Sequence, residues 1–542
     1  MITVGYSTRG SKPEFIEYLK KSSGFKKINV IEKVNNGEKN LSQVYNEILD
    51  ESTTDIVVLC HDDITFDTNG WYPKILNHFN KSEYGILGVA GTTYLPSSGM
   101  WWEQKGRMVG IVNHEHEGKK WESKYSDSFG NDIREVVIVD GLFIILDKKR
   151  IKKRFDESVK GFHLYDVTFC FDNFLEGVKV GVINNIRITH KSIGMTNNQW
   201  DVNRQIFSEK YKDNLPAKIK YTINDRIKVL LTSLFFKNFT GSELYVYELA
   251  KGLQRNNCDV TVVSDIDGPL SKMAKEIGIK VLSHDQTPGF KMGDGKWGFN
   301  TPEGGVQPSK HGMLYKISDV TFDIIHAQHK PITDRICKLY PEIPKICSIH
   351  SEVINLEEPH IDPTIKKYIA IRPEIQKYLE ERFDLKDVDV IYNPIDNNKF
   401  KDKKSTVENA ILFVGTIDYL REFAIRDLIL HTKELGMDLW LVGENKSDYL
   451  DEIKNNSHVK YFKPTWQVEG FVNRCKMTAG IQLGRTTIEG WLCGKPGWIY
   501  QVDSNGGILT KNLHDPPQDV EKYYADNVAK QIKEKYVEIL NS

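Results

Sequence analysis

The sequence lacks several patterns, each of which would have indicated a particular class of protein. Its seven cysteines are scattered and include no CxxC pair, which argues against a disulfide framework or a structural zinc site. The longest apolar run, residues 136–146, contains Asp140 and Gly141 and is far shorter than a membrane span. The start, MITVGYSTRG, lacks the basic and then apolar pattern of a signal peptide.

An excess of charge is also missing, since 73 basic residues stand against 74 acidic ones and give a formal net charge of -1. A neutral chain does not favour a nucleic-acid partner. Together these absences predict a cytoplasmic protein with reduced thiols and no transmembrane segment, and they leave peripheral contact with a membrane open.

Short apolar runs alternate with amphipathic helical stretches along the chain, which predicts an α/β fold with mostly parallel sheets. A polar segment at residues 212–226, containing Pro216, interrupts this pattern, and a second α/β series then begins. That series predicts two successive Rossmann-like halves. The stretch from 286 to 312, rich in Gly, Pro and Lys, predicts a surface loop or lid. The expected organisation is a first domain at 1–218, a linker at 219–226, and two halves at 227–383 and 384–542, the last with a closing helix.

The sequence CHDDI, residues 60–64, follows an apolar run that predicts a buried strand. Ligands in open α/β sheets gather at the carboxyl ends of strands, so His61, Asp62 and Asp63 are candidates for a binding site. Adjacent carboxylates must be compensated by water or a cation, and they suit Mg²⁺ or Mn²⁺ sharing the oxygens of a nucleotide diphosphate. An aspartate N-cap with a solvated neighbour is the alternative.

Further candidates follow in the same domain. Asp166 begins an amphipathic helix, and His190 lies just beyond a predicted strand. A helix cap and a structural histidine are the respective alternatives. Trp101 and Trp102 stand together in a loop and belong either to the core or to a platform that stacks on sugars.

Over about residues 1–215, these motifs resemble the GT-A fold glycosyltransferases of family 2 type. In that family a D-x-D-like motif closes a strand, a DG segment lines the acceptor side, an E-D pair opens a helix and supplies the base, and a histidine often follows as a metal ligand. The matching positions are His61, Asp62 and Asp63 for D-x-D, Asp140 and Gly141 for DG, Tyr165 and Asp166 for E-D, and His190. His61 and Tyr165 depart from the family, which has acids there.

The resemblance implies a metal-dependent reaction with inversion at the anomeric carbon. Asp166 would be the catalytic base, and Asp63 and His190 would bind Mn²⁺ or Mg²⁺. Asp62 would assist through the ribose or a water molecule. The remaining positions implied are Thr8, Arg9 and Asn36 facing the nucleotide, and Asn46 supporting the same pocket.

In the second series, Gly241 and Ser242 form a small-residue turn before a helix, where free amides and the helix dipole favour an anion. Four later segments accompany this turn: IYNPID at 391–396, FVGTIDYLRE at 413–422, LVGE at 441–444 and GRTTIEGWLCGKP at 484–496. In this order, over residues 227–540, they resemble the GT-B fold glycosyltransferases of family 4 type.

The family 4 resemblance implies a nucleotide-sugar site that needs no metal or other cofactor. Glu489 would bind the donor ribose, Thr486 and Thr487 would lie by the diphosphate, and Arg421 would compensate phosphate charge. His350 would contact the donor sugar. Two positions depart from the family: Ile481 stands where the first of two paired glutamates is expected, and Thr416 stands in place of an arginine.

The leading hypothesis is therefore a bifunctional glycosyltransferase that moves sugars from nucleotide-sugar donors to a growing glycan or glycolipid. The first domain would be metal-dependent and inverting, and the second metal-independent and, if it follows its family, retaining. One alternative keeps a single catalytic domain, with the other binding a glycan or a nucleotide. Another is glycosylation of a modified nucleic-acid base, for which the basic run DKKRIKKR at 147–154 would supply a local patch.

Overall fold

The computed structural model describes residues 1–25, 27–126, 128–192, 194, 197–283, 289–291, 297–300, 306–308 and 322–542. It divides into two compact units, Met1–Lys220 and Tyr221–Ser542. Within the described ranges, no helix is both long and apolar enough to cross a membrane. The α/β fold expected from the sequence is confirmed, because both units consist of sheets covered by helices.

The first unit contains fifteen strands and five α-helices among its described residues. The strands are β1 (Ile2–Thr8), β2 (Asn29–Val34), β3 (Ile56–Cys60), β4 (Ile64–Phe66), β5 (Ile86–Gly88), β6 (Ala90–Thr92), β7 (Tyr94–Leu95), β8 (Met108–His116), β9 (Lys119–Lys124), β10 (Arg134–Val136), β11 (Ile138–Val139), β12 (Phe143–Asp147), β13 (Val180–Val182), β14 (Ile188–His190) and β15 (Ala217–Lys218). The helices are α1 (Pro13–Ser22), α2 (Leu41–Glu51), α3 (Trp71–Lys81), α4 (Tyr165–Leu175) and α5 (Asn198–Lys210).

The main sheet of this unit has the order β10-β13-β5-β12-β3-β1-β2, and β12 is antiparallel to both of its neighbours. A second sheet, β11-β6-β8-β14-β4, borders it. Every residue of β3 is buried, as its apolar sequence IVVLC predicts. Helix α2 begins at the capping box of Asn40 and Gln43 and packs on β1, where Gly5 leaves room for Ile48. The carboxyl ends of β1, β2 and β3 therefore lie side by side at one edge of the sheet.

The second unit begins with a parallel sheet in the order β18-β17-β16-β22-β23-β24-β25. Three short strands lie in the segment for which a surface loop was expected, and the rest of that segment lies outside the described residues. The strands are β16 (Ile227–Phe236), β17 (Cys258–Asp267), β18 (Lys280–Ser283), β19 (Gly289–Lys291), β20 (Trp297–Asn300), β21 (Val306–Pro308), β22 (Ile324–Ala327), β23 (Lys345–Ile349), β24 (Ile365–Ala370) and β25 (Val388–Val390). The helices are α6 (Gly241–Arg255), α7 (Pro269–Glu276), α8 (Lys330–Leu339) and α9 (Pro373–Phe383).

The same unit ends with a second sheet, β28-β27-β26-β29-β30-β31, in which only β31 is antiparallel among the described pairings. Its strands are β26 (Ala410–Val414), β27 (Asp438–Val442), β28 (Val459–Phe462), β29 (Met477–Ile481), β30 (Gly497–Val502) and β31 (Ile508–His514). Its helices are α10 (Tyr419–Glu434), α11 (Leu450–Lys454), α12 (Val468–Arg474), α13 (Arg485–Leu492) and α14 (Ala525–Asn541). In both sheets the order of the strands reverses beside the first strand, between β16 and β22 in one sheet and between β26 and β29 in the other. Doubly wound folds bind ligands at such a reversal.

The chain passes between the two halves of this unit twice, and the two passages are hydrogen-bonded to each other. The Ile395 N–H donates to the carbonyl of Tyr523 (2.8 Å), and the Ala525 N–H donates to the carbonyl of Ile395 (2.9 Å). Helix α14 then packs against α6 of the first half. A Cβ atom on Gly252 would lie 2.7 Å from the Ala529 Cβ, so a glycine is needed where these helices meet.

Candidate functional site

The first candidate site lies where β3 ends. After Cys60 the chain turns through three polar residues and returns as β4, which pairs antiparallel with β14 and sets His190 opposite Ile64. The Lys191 N–H also donates to the Asp63 carbonyl (3.0 Å). This pairing brings the predicted metal ligands Asp63 and His190 together, although they are far apart in the sequence.

His61, Asp63 and His190 each offer one ligand atom, and these atoms all lie within 4.8 Å of one another. The His190 Nε2 lies 3.4 Å from the Asp63 Oδ1 and 3.5 Å from the His61 Nδ1. In the described part of the chain, no hydrogen-bond partner reaches the buried Oδ1 of Asp63. A carboxylate oxygen without a partner, facing two imidazole nitrogens, fits a divalent cation.

Without a bound cation, Asp63 and His190 form an ion pair, and each changes the pKa of the other. Burial would raise the pKa of Asp63, but the pairing with His190 outweighs it and holds that pKa well below its usual range. Burial would lower the pKa of His190, but Asp63 raises it. The pKa of His61 is lowered by burial and then by the charge of His190. A bound cation would replace the proton of His190 as the positive partner of Asp63.

The predicted base Asp166 lies in the first turn of α4, one residue after Tyr165. Its Oδ2 accepts the backbone N–H of Gly141 (2.8 Å). A Cβ atom on residue 141 would lie 2.2 Å from the Tyr165 Oη and 2.9 Å from the Asp166 Oδ2, so only glycine fits there. Burial, followed by the charge of Asp140, raises the pKa of Asp166 to about 7. A carboxylate with this pKa can accept a proton near neutral pH and release it again.

The residues predicted to face the nucleotide stand at the same sheet edge. Thr8 ends β1 and is buried, and its hydroxyl donates to the Gly10 carbonyl (2.9 Å). Arg9 and Asn36 follow β1 and β2 and are exposed. Asn46 on α2 points toward the segment before α4, because its amide donates to the Phe155 carbonyl (2.9 Å). Asn46 thus supports that segment directly.

Lys12 was not predicted, yet it lies over the HDD turn. Its Nζ is 2.7 Å from the Asp62 Oδ2 and donates to the Asp62 carbonyl (3.2 Å). Glu32 on β2 fixes this loop, since its carboxylate accepts the Lys12 N–H (2.7 Å), the Ser11 hydroxyl (2.5 Å) and the Tyr6 hydroxyl (2.7 Å). Asp62 therefore already has a cationic partner that a ribose or a water would have to share.

A third histidine, His114, was also missed. It lies on β8 directly beside His190 in the parallel register of β8 and β14, and its ring stacks on Trp121 (5.0 Å between centroids). Both of its ring nitrogens are buried and have no hydrogen-bond partner among the residues that are described. Burial and the charge of His190 lower its pKa, which favours a neutral ring.

The two adjacent tryptophans differ in exposure. Trp101 is buried and meets Tyr125 edge-on (5.9 Å), so it belongs to the core. Trp102 keeps 43% of its surface exposed and lies beside Trp200 of α5 (5.9 Å between centroids). The charge of Asp140 acts on Tyr125 and helps to raise its pKa, after burial. Trp101 therefore belongs to the core, and Trp102 and Trp200 form a partly exposed aromatic pair.

The second candidate site lies where the strands of the second unit end. Gly241 and Ser242 begin α6, as predicted. The backbone N–H groups of the loop before them, however, already bind a carboxylate of the chain itself. The Glu243 carboxylate accepts backbone N–H groups from Lys237 (3.0 Å), Asn238 (3.2 Å) and Thr240 (3.3 Å). The Glu243 carboxylate thus binds backbone N–H groups at the start of α6 that could otherwise bind the anion of a ligand.

Helix α13 connects β29 to β30, and its first turn is hydrogen-bonded to β26 across the reversal in the second sheet. It follows β29, and its Thr486 hydroxyl donates to the Val414 carbonyl at the end of β26 (3.0 Å). Thr487 was predicted at the same place, but its side chain is buried against the sheet. A Cβ atom on Gly497 of β30 would lie 2.7 Å from the Thr487 Cγ2. The hydroxyl of Thr486 therefore marks the strand-end side of α13, and Thr487 packs beneath it.

Glu489 forms an ion pair with Arg485, one turn earlier on α13. The Arg485 Nε and Nη2 each lie 3.2 Å from the Glu489 Oε1, and the side chains are only 10% and 6% exposed. Arg485 also donates to the Pro394 carbonyl (3.0 Å). The i, i+4 spacing of Arg485 and Glu489 was a visible signal for this pair.

Two other positive groups near this edge, Arg421 and Lys251, are paired as well. The Arg421 Nη1 donates to the Asp418 Oδ2 (2.6 Å), and a Cβ atom on Gly415 would lie 3.4 Å from the Arg421 Nε. Arg421 is therefore beside the end of β26, where a phosphate was predicted. Lys251 on α6 lies between Glu248 (3.1 Å) and Asp396 (2.8 Å).

His350 directly follows β23 and lies at the carboxyl end of that strand, in the first half of the second unit. Its Nε2 lies 2.6 Å from the Gln328 Oε1, and its ring meets Tyr245 edge-on (4.6 Å). Burial is the main reason that the pKa of His350 falls to about 4. The imidazole is therefore neutral at neutral pH and acts as a hydrogen-bonding group without charge.

Comparison with known families agrees with both resemblances. The sequence model described as "Glycosyltransferase like family", of family 2 type, matches residues 14–211, and that of "Glycosyltransferase Family 4" matches residues 239–399. No curated protein matches the chain.

Several solved structures of similar proteins align with 58% of this chain. HepE (Alr3699) of Anabaena with UDP-glucose has 17% identity and a TM-score of 0.41, and 97% of its chain is covered. AviGT4, a glycosyltransferase involved in avilamycin A biosynthesis, has 14% identity and a TM-score of 0.40, with 98% covered. The pneumococcal O-GlcNAc transferase GtfA with UDP and GlcNAc has 10% identity and a TM-score of 0.39, with 91% covered.

Proposed function

The chain is a glycosyltransferase that joins a domain of family 2 type to a family 4 domain, and on this basis we propose that it transfers sugars at two separate sites. The first transfer uses a divalent cation and inverts the anomeric carbon. The second uses no metal and, following its family, retains the configuration. The observation that carries the first proposal is the carboxylate of Asp166, whose pKa is raised to about 7 on the same domain as the His61, Asp63 and His190 cluster.

In the first domain, Asp166 takes the proton of an acceptor hydroxyl as that oxygen bonds to the anomeric carbon. The bond to the diphosphate oxygen breaks at the same time, and the diphosphate leaves with the electron pair. Attack from the face opposite the leaving group inverts the configuration. Asp63 and His190 would hold the cation, with His61 beside them. Such a cation neutralises the charge that develops on the departing diphosphate.

The nucleotide of the first donor would lie along the carboxyl edge of β1, β2 and β3. Thr8, Arg9 and Asn36 stand at that edge, and Lys12 adds a positive charge over the HDD turn. This placement supports a role for them in holding the base and ribose. Asp62 shares its carboxylate between Lys12 and the ligand.

In the second domain, side chains supply the positive charge. We assign the donor diphosphate to the end of β26, beside Arg421 and the hydroxyl of Thr486. Glu489 would bind the ribose, with its charge compensated by Arg485. The neutral imidazole of His350 would contact the donor sugar across the cleft between the halves.

The acceptor of the first domain is a glycan, and Trp102 supports this choice. An exposed indole beside a second one offers an apolar face on which the C–H groups of a sugar ring can pack.

A second candidate function keeps only the first domain catalytic. Ile481 and Thr416 replace an acid and an arginine that family 4 carries, and Arg485 already holds the carboxylate of Glu489. In that case the second domain binds a nucleotide or a glycan without transferring a sugar.

Thermal unfolding of the full chain with a panel of nucleotide sugars, each with and without Mn²⁺, tests both proposals. We expect one ligand to stabilise only with Mn²⁺ and to lose this effect in Asp63→Ala. A second, metal-independent stabilisation should disappear in Glu489→Ala. Stabilisation by neither route would overturn the function. Metal-independent binding without sugar release would favour the single-transferase candidate.

A further inference from the structure

We infer that Tyr165 is a positioning residue that fixes the tautomer of His61, so that His61 offers its Nδ1 to the cation of the first site as a third ligand. This inference rests on the proposed function, because the cation belongs to that proposal. It gives a role to the two residues of this domain that depart from the family 2 pattern.

The Tyr165 hydroxyl stands between a carbonyl and an imidazole. Its Oη lies 3.1 Å from the Gly141 carbonyl oxygen and 3.1 Å from the His61 Nε2. A carbonyl only accepts, and a tyrosine hydroxyl has one proton, so Tyr165 donates to Gly141. The opposite assignment would leave two oxygen atoms facing each other at 3.1 Å without a proton between them.

The tautomer of His61 follows from this assignment. Since the Tyr165 Oη has given its proton to Gly141, it accepts from His61, and the Nε2 of His61 carries the hydrogen. In a neutral imidazole the other nitrogen then has the lone pair. That nitrogen, Nδ1, is the one 3.5 Å from the His190 Nε2.

The position of Tyr165 is itself fixed. The residue is 4% exposed and packs edge-on against Tyr45 of α2 (5.5 Å), with Phe155 on another side (6.3 Å). A Cβ atom at residue 141 would lie 2.2 Å from its hydroxyl, so Gly141 makes the space that the hydroxyl occupies. The ring therefore has a single place for its oxygen, between Gly141 and His61.

The two departures from the family act as one unit. His61 stands in place of the first acid of the D-x-D motif, and Tyr165 stands in place of the glutamate before the base. They lie 104 positions apart in the chain and are hydrogen-bonded. A ligating histidine normally donates its second N–H to an oxygen that holds the ring in place, and Tyr165 supplies that oxygen.

A consequence for the choice of cation follows. Two imidazole nitrogens and one carboxylate form a donor set that suits a transition ion such as Mn²⁺ better than Mg²⁺, which prefers oxygen ligands only. The chain should therefore retain Mn²⁺ in the presence of an equal concentration of Mg²⁺.

The test uses the full chain, stripped of metal with a chelator and titrated with Mn²⁺ while the electron paramagnetic resonance signal of free Mn²⁺ is recorded. We expect Tyr165→Phe to weaken Mn²⁺ binding by about 10–100-fold, as loss of such a supporting oxygen does in other sites. His61→Ala should weaken it at least as much. Tyr211→Phe is the matched control, because it removes another buried hydroxyl, bonded to Asp172 (2.7 Å), elsewhere in the domain.

A second readout reports the tautomer directly. In metal-free protein with ¹⁵N-labelled histidine, the signals of His61 are assigned by their loss in His61→Ala. They should show a protonated Nε2 in the wild type and a mixture of tautomers in Tyr165→Phe, and a merely structural role of Tyr165 would not change them. Unchanged Mn²⁺ affinity or an unchanged tautomer in Tyr165→Phe would overturn the inference. A wild-type chain that binds no Mn²⁺ would instead overturn the cation of the proposed function.

Discussion

Asp63 in the first unit and Glu489 in the second are both carboxylates at the carboxyl edge of a sheet, but their charges are compensated in different ways. The Oδ1 of Asp63 has no hydrogen-bond partner in the described structure and faces two imidazoles. Glu489 has a guanidinium 3.2 Å away. The positive partner of Asp63 is thus a histidine that carries charge only when protonated, whereas the partner of Glu489 is a permanently charged guanidinium.

The same contrast holds for the groups around them. In the first unit, burial and then the charge of Asp140 raise the pKa of Asp166 to about 7. In the second, Lys251 lies between two acids, and Glu243 accepts three backbone N–H groups. A carboxylate paired only with a titratable imidazole can exchange that proton for a cation, whereas a carboxylate paired with a guanidinium already has a permanent positive partner.

The largest effect is expected for Asp166→Asn, which removes the proton acceptor and keeps the size of the side chain. The first transfer should slow by about 10²–10⁴-fold, and the second transfer should be unchanged. Product analysis by mass spectrometry separates the two reactions. Asp55→Asn, which removes an exposed carboxylate paired with Lys149, is the control and should leave both rates unaltered. A first transfer at the wild-type rate would show that Asp166 is not the base.

Asp63→Ala should abolish the response of the first domain to metal. It removes the only carboxylate of the His61, Asp63 and His190 cluster, so the loss of Mn²⁺ affinity should exceed the about 10–100-fold typical of a supporting residue. Isothermal calorimetry on the full chain measures this affinity. Metal-independent binding of nucleotide by the second domain should persist, and its loss in this variant would contradict the separation of the two sites.

Glu489→Ala should destabilise the second unit by about 3–5 kcal/mol, because it leaves the buried Arg485 without its charged partner. Unfolding in urea measures this change in free energy. Asp438→Ala, which removes a partly exposed partner of Lys460, should cost less than about 1 kcal/mol. The double variant Arg485→Ala/Glu489→Ala should lose less than the sum of the two single variants, and simple additivity would argue against the pair.

The pH dependence should differ between the two reactions. Asp166 accepts a proton only when ionised, and its pKa is about 7, so the first transfer should fall about tenfold per pH unit below that value. In metal-free protein, the folded state holds this proton more tightly than the unfolded chain. Wild type should therefore lose stability relative to Asp166→Asn as the pH rises from 4 to 7. A flat profile for the first reaction would contradict the assignment.

The smallest effect is expected for Trp102→Ala. Loss of one exposed stacking face, worth about 1 kcal/mol, should raise the KM for the acceptor roughly fivefold and leave the affinity for the donor unchanged. Steady-state kinetics with varied acceptor measures this. Phe25→Ala, at an exposed ring that stacks on Tyr72, is the control. An altered donor affinity would place Trp102 elsewhere in the reaction.

The sequence predicted that Asp63 and His190 would share a site, but it did not show how, since they meet through the antiparallel pairing of β4 with β14, in a different sheet from β3. It did not predict Lys12 over Asp62, since the direction of a loop after β1 depends on Glu32 of the neighbouring strand. Thr486 and Thr487 were indistinguishable by motif. Only the side of α13 that meets the sheet separates them, and that depends on packing.

The alternation of strands and helices was predictable from the sequence, but the exact division into strands was less so. The apolar run at 136–146 resembles a single strand in the sequence, but it is broken at Val137 and again at residues 140–142. Its parts form β10, β11 and β12, which belong to two different sheets. The polar pair Asp140 and Gly141 inside the apolar run was the sequence signal for the break at residues 140–142. Only glycine fits at position 141, beside Asp166, so the same pair also indicated where the base lies.

The paired passages between the two halves of the second unit make Ile395 a shared attachment point. Its N–H and its carbonyl bind residues 523 and 525, so the two connecting segments are joined to each other as well as to the halves. Because α14 follows β31 in the chain but packs on α6, the last helix of the second half lies against the first half, and its packing joins the halves in addition to the chain itself.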